Sequence, residues 1–131
     1  MKKILFALPV ILVVILFLGS CEKDCDIQTP DIYGSWTVLQ TDAQGLQYNV
    51  EIKFNTNNSY DWILLDSATG HTNSYAEFTL SENLMTITND ADCDLPGEYY
   101  LTIEADKLAI IGKTDGCEPR TAALEWVWKR K

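Results

Sequence analysis

The pattern in this sequence that most resembles a metal-binding site is a run of acidic residues at every second position. Asp90, Asp92 and Asp94 follow the spacing with which a calcium-binding loop begins. Leu95 then stands where such a loop needs glycine, and no glutamate occupies its twelfth position. The pattern therefore predicts a solvated acidic loop, and the sequence indicates neither a metal site nor a cofactor site.

Side chains suited to catalysis are equally sparse. His71 is the only histidine, and it stands in a Gly-His-Thr turn without Cys, Asp or Glu at metal-ligand spacing, which predicts an exposed loop histidine. No Ser-His-Asp order, glycine-rich phosphate loop or glycosidase-like carboxylate pair stands out. The sequence therefore predicts a protein that is not an enzyme.

The charge of the chain restricts its partners. The chain has 131 residues, and from residue 21 onward it carries eight Lys and Arg against 19 Asp and Glu, a formal charge of −11. Nucleic acids and anionic lipid surfaces are bound through clusters of basic residues. That part of the chain is long enough for one small domain and too short for two. We therefore expect a single domain that does not bind nucleic acid.

The N-terminal segment has the layout of a secretory signal. The basic pair Lys2-Lys3 precedes an apolar run of 15 residues, 4–18. This run is shorter than the roughly 20 residues of a membrane-spanning helix, although an uncleaved membrane anchor is the alternative. We therefore expect a signal peptide over 1–20, a polar linker over 21–31 and the folded domain over 32–131.

Leu18-Gly19-Ser20-Cys21 resembles the lipobox of bacterial lipoproteins. The resemblance implies that the Cys21 thiol is diacylated, that the signal is cut before it, and that the new amine receives a chain such as palmitate. Two or three acyl chains give a stable membrane anchor. Glu22 is not the aspartate typical of inner-membrane retention. The resemblance thus implies export and lipid anchoring in a Gram-negative outer membrane, with the periplasmic and cell-surface faces both open.

Period-two alternation of apolar and polar residues dominates the chain after the linker. In the clearest example, Leu46, Tyr48, Val50, Ile52 and Phe54 share one face and polar residues share the other. No window after the linker holds an apolar stripe of helical period. The predicted strands are eight, at about 33–42, 46–56, 59–66, 72–81, 83–89, 98–104, 107–113 and 121–130.

Turn residues separate these strands at hairpin-like lengths, which favours an antiparallel up-and-down meander. Closing eight strands into a barrel removes exposed sheet edges, and a β-sandwich is the alternative. Short turns at 57–58, 82–83 and 105–106 alternate with longer loops. The barrel should therefore have a tight end, from which the linker leaves, and a loop-rich mouth at the opposite end.

Gly34-Ser35-Trp36, at the start of the first strand, resembles the Gly-x-Trp signature of lipocalins, and Arg130 has inward parity on the last strand. The resemblance is closest to small lipocalin-like bacterial lipoproteins. It implies a closed barrel whose tight end is plugged by Trp36 under Arg130, a cation–π contact worth about 1–2 kcal/mol. The chain departs from typical lipocalins in being shorter and in lacking a C-terminal helix.

The segment from Asp115 to Arg120 is similar to an Asp-x-Cys-x-x-Arg segment before the last strand of such proteins. Together with Cys93, this similarity implies a disulfide to Cys117 that joins two mouth-end loops. An oxidising compartment would allow the bond, which would stabilise the fold by about 3–3.5 kcal/mol. Cys25 is left over: it is free, forms an intermolecular bridge, or displaces one of the other two.

Many apolar and aromatic side chains, with a few polar groups, should point into the barrel. They either enclose a ligand pocket or fill the interior, since small barrels are often wide enough only for their own side chains. The leading interpretation is non-enzymatic binding of a small, partly apolar ligand at the mouth. The alternative is an envelope interaction module whose solid barrel contacts protein or glycan through acidic loops. The oligomeric state stays open. The candidate ligand-binding residues are Gln40, Tyr48, Trp62, Phe78, Tyr99 and Trp126.

Overall fold

The structure, a computed structural model, describes residues 29–67 and 70–131. The predicted signal peptide, Cys21 and Cys25 lie outside the described residues, so the expectations attached to them stay predictions. Along the described stretches, no helix combines the length and the apolar character needed to cross a bilayer.

Within the described residues the chain forms eight strands and one short helix. Each strand pairs antiparallel with a neighbour along the chain, and the eighth pairs with the first, which closes the sheet into a barrel. The predicted eight-stranded up-and-down barrel is confirmed, and the sandwich alternative is wrong. The elements are β1 (Gly34–Thr41), β2 (Gln47–Asn55), β3 (Ser59–Leu64), β4 (Ser74–Ser81), β5 (Leu84–Asp90), β6 (Gly97–Glu104), β7 (Lys107–Asp115), α1 (Glu118–Leu124) and β8 (Val127–Arg130).

Strand β2 shows how residue alternation creates the two faces of the barrel wall. Tyr48, Val50, Ile52 and Phe54 are buried inside, because successive side chains of a strand point to opposite faces. Each side chain of this size contributes about 1.5–3 kcal/mol when it is fully buried. The apolar side chains of β2 therefore help to hold the wall around one common core.

Short hairpin turns define the tight end of the barrel. Each contains a non-glycine residue in the left-handed region: Asn58 at φ 61°, Glu82 at φ 54° and Ala105 at φ 54°. Tight hairpins favour this backbone conformation because it matches the twist of the flanking strands. The longer connections meet at the opposite end, so the mouth lies where the loop lengths predict it.

Trp36 and Arg130 join the first and last strands at the tight end. The two residues are paired across β1 and β8, and the guanidinium carbon of Arg130 lies 4.2 Å from the centroid of the Trp36 ring. The guanidinium also donates to the carbonyl oxygens of Asp31 at 2.9 Å and Tyr33 at 3.4 Å. The Trp36 indole donates to the carbonyl oxygen of Ile32 at 2.8 Å. The expected contact is present, and it also holds the segment that leads into β1.

The predicted last strand, 121–130, is wrong in its first part. The chain forms α1 there, and β8 covers only the final four residues of that range. Pro119 lies in the first turn of α1, where proline lacks only an N–H that the helix does not use. Arg120 and Leu124, four residues apart, form the buried side of the helix. Leu124 would point inward in a helix as well as in a strand. The alternation of apolar residues in this segment therefore did not reveal that it is helical.

Candidate ligand-binding cleft

At the mouth, helix α1 lies where the first residues of a longer last strand would otherwise lie. On one side, the amide nitrogen of Gln40 on β1 donates to the carbonyl oxygen of Ala123 at 2.9 Å. On the other side, the backbone N–H of Ile110 on β7 donates to the carbonyl oxygen of Trp126 at 3.2 Å. The segment from α1 to β8 is thus attached to both neighbouring strands without continuing the sheet.

A cleft of about 640 Å³ lies at the mouth, between α1 and the barrel wall. This volume is within the roughly 300–1,000 Å³ that is usual for small-molecule sites. Its barrel side is formed by Gln40, Thr41, Asp42, Ala43, Gln44, Tyr48, Trp62 and His71, and its helix side by Glu118, Pro119, Thr121, Ala122, Ala123, Glu125 and Trp126.

Four of the six predicted ligand-binding residues line this cleft: Gln40, Tyr48, Trp62 and Trp126. Tyr48 and Trp62 meet edge to face, with ring centroids 6.5 Å apart. Trp126 is half-buried on the helix side, where its indole donates to the carbonyl oxygen of Ala122 at 2.7 Å. Aromatic side chains therefore border the cleft from both the barrel and the helix.

The other two predicted residues, Phe78 and Tyr99, lie in the solid core and do not line the cleft. Phe78 packs against Phe54 with ring centroids 5.7 Å apart and nearly perpendicular planes. Tyr99 is fully buried and donates its hydroxyl to Asp115. Strand parity directs a side chain inward but does not specify its surroundings, and here neighbouring side chains already occupy the space.

The indole N–H of Trp62 is a buried donor for which the described residues supply no acceptor. The Trp62 side chain lies on the cleft, and the residue is only 5% exposed. Buried polar groups are nearly always hydrogen-bonded, and an unpaired one costs about 1–3 kcal/mol. The nitrogen itself is enclosed, so this unpaired donor is a local cost of packing Trp62 beside the cleft.

His71 contributes to the rim of the cleft, a role that the sequence analysis missed. It is half-buried, with its ring centroid 4.4 Å from that of Tyr48, and its Nε2 lies 3.6 Å from the Asp42 carboxylate. Asp42 accepts hydrogen bonds from the amides of Leu46 at 2.8 Å and Gln44 at 2.9 Å. The Leu46 amide is the main reason why the pKa of Asp42 lies below its usual value. Loop lengths place these residues at the mouth but do not show which of them meet.

A buried ion pair anchors α1 to the barrel. The Arg120 guanidinium donates to both carboxylate oxygens of Asp115 at 2.7 Å, to the carbonyl oxygen of Leu95 at 2.7 Å and to Asp90 at 3.3 Å. Burial alone would raise the pKa of Asp115, but hydrogen bonds from Arg120, from the Tyr99 hydroxyl and from a backbone amide keep it below its usual value. Asp90, expected in a solvated loop, is instead a buried partner of Arg120.

Two further features fasten α1 at the mouth. Cys93, in the loop after β5, pairs with Cys117, the residue that precedes α1, and their Cα atoms are 6.0 Å apart, as in a disulfide. A Cβ placed on Gly97 would lie 2.5 Å from the Asp115 carboxylate and 2.8 Å from the Arg120 guanidinium. The predicted cysteine pair is therefore present, and glycine at the start of β6 leaves room for the ion pair.

The described residues include no group of three or more His, Cys, Asp or Glu side chains that could hold a metal ion. Comparisons of the chain with protein-family models, with curated proteins and with solved structures found no match. The geometry of the cleft is therefore the basis on which a function is assigned.

Proposed function

We propose that this chain binds a small, partly apolar molecule in the mouth cleft without transforming it, as an exported, lipid-anchored protein of lipocalin-like kind. The observation that carries this proposal is the cleft itself, with about 640 Å³ of space and aromatic residues on both of its sides. The alternative is a solid barrel that contacts protein or glycan through acidic loops. That arrangement needs no such space at the mouth.

The filled interior confines the ligand to the mouth. Trp36, Tyr99, Leu101, Leu108 and Trp128 are all at most 1% exposed, so the core below the cleft is occupied by the protein's own side chains. Protein interiors packed in this way have few voids larger than a water molecule. A bound molecule would rest on this core and be covered in part by α1.

Two polar groups of the cleft, on Gln40 and Asp42, are already engaged by the protein and are better suited to shaping a binding site than to proton transfer. The Gln40 amide nitrogen donates a hydrogen bond to the Ala123 carbonyl, and the Asp42 carboxylate accepts hydrogen bonds from two loop amides. A general acid or base must be free to exchange a proton with the substrate.

Filling the cleft should weaken binding. Ala122 is exposed on the cleft side of α1, so Ala122→Phe adds a ring to the cleft and leaves the core unchanged. We expect the wild-type protein to bind the neutral fluorescent probe N-phenyl-1-naphthylamine. The substitution should weaken this binding at least about tenfold, equivalent to 1.4 kcal/mol. A fluorescence titration measures both affinities.

Tyr100→Ala is the matched control, since Tyr100 is an exposed ring on β6 that does not line the cleft. This variant should retain the wild-type affinity for the probe. Equal binding by the wild type and by Ala122→Phe would contradict the proposed site. Failure of the folded wild-type protein to bind any small apolar probe would contradict the proposed function.

Lipid anchoring is tested separately at Cys21. Cys21→Ala should leave the precursor unlipidated and abolish its retention by acyl chains, because the thiol is the acceptor that the lipobox implies. Intact-mass analysis of the wild-type protein purified from its own membrane should show an N-terminus at Cys21 with acyl mass attached. A different N-terminus, or Cys21 without acyl mass, would overturn the anchor and leave the cleft unaffected.

A further inference from the structure

We propose that the cleft selects an organic cation, an amine or quaternary ammonium group carried on an apolar body. This inference rests on the proposed binding function and adds the charge of the ligand. Its basis is the set of charged residues along the cleft, together with the aromatic rings beside them.

The charge along the cleft is almost entirely negative. Asp42, Glu118 and Glu125 line it, and no Lys or Arg does so among its described lining residues. Of the side chains described along the cleft, His71 alone is basic, and it lies 3.6 Å from Asp42. Low-dielectric clefts lined by one sign of charge concentrate ligands of the opposite sign. The mouth therefore favours a cation over an anion.

Basic side chains elsewhere in the described residues do not offset this charge. Arg120 is only 3% exposed and is bound to Asp115 and Asp90, while Lys113 pairs with Glu98 at 3.2 Å. The others lie on the strands toward the tight end or beside its turns, and none of them lines the cleft. These residues are Lys53, Lys107, Lys129, Arg130 and Lys131.

The carboxylates are available to a ligand cation. Asp42 is held in position by two backbone amides, at 2.8 and 2.9 Å, which also favour its ionised form. Glu118 and Glu125 are exposed and form no ion pair within the described chain, and one carboxylate oxygen of Glu125 accepts a hydrogen bond from the backbone amide of Gly112 at 2.6 Å. Asp42 and Glu125 are thus held by backbone amides and need little reorganisation when a ligand arrives.

The aromatic side chains suit the same ligand. Tyr48, Trp62 and Trp126 line the cleft together with the three carboxylates. The faces of Trp and Tyr rings attract ammonium groups and also provide apolar contact area. A neutral ligand would use only the rings, and an anion would meet like charge. A cation on an apolar body uses both features of the cleft.

The test compares three probes that share a naphthalene body and differ in charge: 1-naphthylmethylamine, 1-naphthalenemethanol and 1-naphthoate. Calorimetry on the folded protein measures their affinities. We expect the amine to bind at least about tenfold more tightly than the alcohol, and the carboxylate to bind most weakly. The preference for the amine should shrink between about 0.01 and 1 M salt, where the Debye length falls from about 30 to 3 Å.

Variants locate the selectivity. Glu118→Gln combined with Glu125→Gln should lower the amine-to-alcohol affinity ratio at least about threefold, because both carboxylates lose their charge with little change in shape. Glu104→Gln is the control, since Glu104 is an exposed carboxylate beside the tight-end turn. It should keep the wild-type ratio.

The outcomes separate the two proposals. Equal affinity for the amine and the alcohol, or an unchanged ratio in the double variant, would overturn cation selectivity alone. Failure of the amine to bind a protein that still binds N-phenyl-1-naphthylamine would do the same. A folded wild-type protein that binds none of these four probes would overturn both the selectivity and the proposed function.

Discussion

Replacing Trp36 with alanine is expected to lower the free energy of unfolding by about 3–5 kcal/mol. Trp36 is fully buried and its indole bonds to the Ile32 carbonyl, so truncation leaves both a cavity and an unpaired acceptor. Arg130→Ala should cost about 1–2 kcal/mol, because it removes the stack on Trp36 and the hydrogen bonds to Asp31 and Tyr33. Urea unfolding of each variant measures these losses.

The double variant tests whether this contact joins the two strands. Residues in direct contact are generally not additive, so the loss in the double variant should differ from the sum of the single losses. Lys129→Ala is the matched control, because Lys129 is an exposed neighbour of Arg130. It should change stability by no more than about 0.5 kcal/mol. Strict additivity of the Trp36 and Arg130 substitutions would contradict the proposed coupling.

Arg120→Ala is expected to cost a comparable amount, about 3–5 kcal/mol. It would leave the Asp115 carboxylate, only 3% exposed, without its bidentate partner. Lys113→Ala is the control, because it breaks an ion pair with Glu98 in which both side chains are at least a third exposed. Such surface pairs contribute about 0–1 kcal/mol. Similar losses in the two variants, measured by urea unfolding, would contradict the anchoring role of the buried pair.

The ion pair should also make stability depend on pH. The folded-state pKa of Asp115 lies below its ordinary value, so its contribution is present above the unfolded-state pKa and is lost as pH falls through the folded-state pKa. The wild-type protein should therefore lose stability below about pH 4. Asp115→Asn should remove this part of the acid-side loss. Urea unfolding between pH 7 and pH 3, with the disulfide intact, compares the two slopes, and identical slopes would refute the assignment.

The arrangement of α1 links stability to the cleft. Arg120, the Cys93–Cys117 pair and the Gln40–Ala123 hydrogen bond all hold this helix against the mouth. Seven residues are too few for a helix to be stable in water by itself. The helix side of the cleft therefore depends on these tertiary attachments.

The sequence by itself determined the first seven strands and the two ends of the barrel, because both depend on local properties. The face that a strand residue occupies follows from its parity, as the buried residues of β2 show. Hairpin turns follow from short polar connections. Parity and turn length together were enough to bring Trp36 and Arg130 to the tight end, where the structure places them in contact.

Only the tertiary structure decided which residues of the mouth meet and which inward residues stay accessible. Asp90, Asp115 and Arg120 come from three separate elements, and Asp42 meets His71 across the mouth, so no local spacing reveals either contact. Leu124 points inward under both the helical and the strand period, which left α1 undetected. Parity placed Phe78 and Tyr99 inside, but packing around them excluded both from the cleft. Because accessibility depends on the neighbours that each side chain acquires on folding, the cleft is a property of the assembled barrel and its helix.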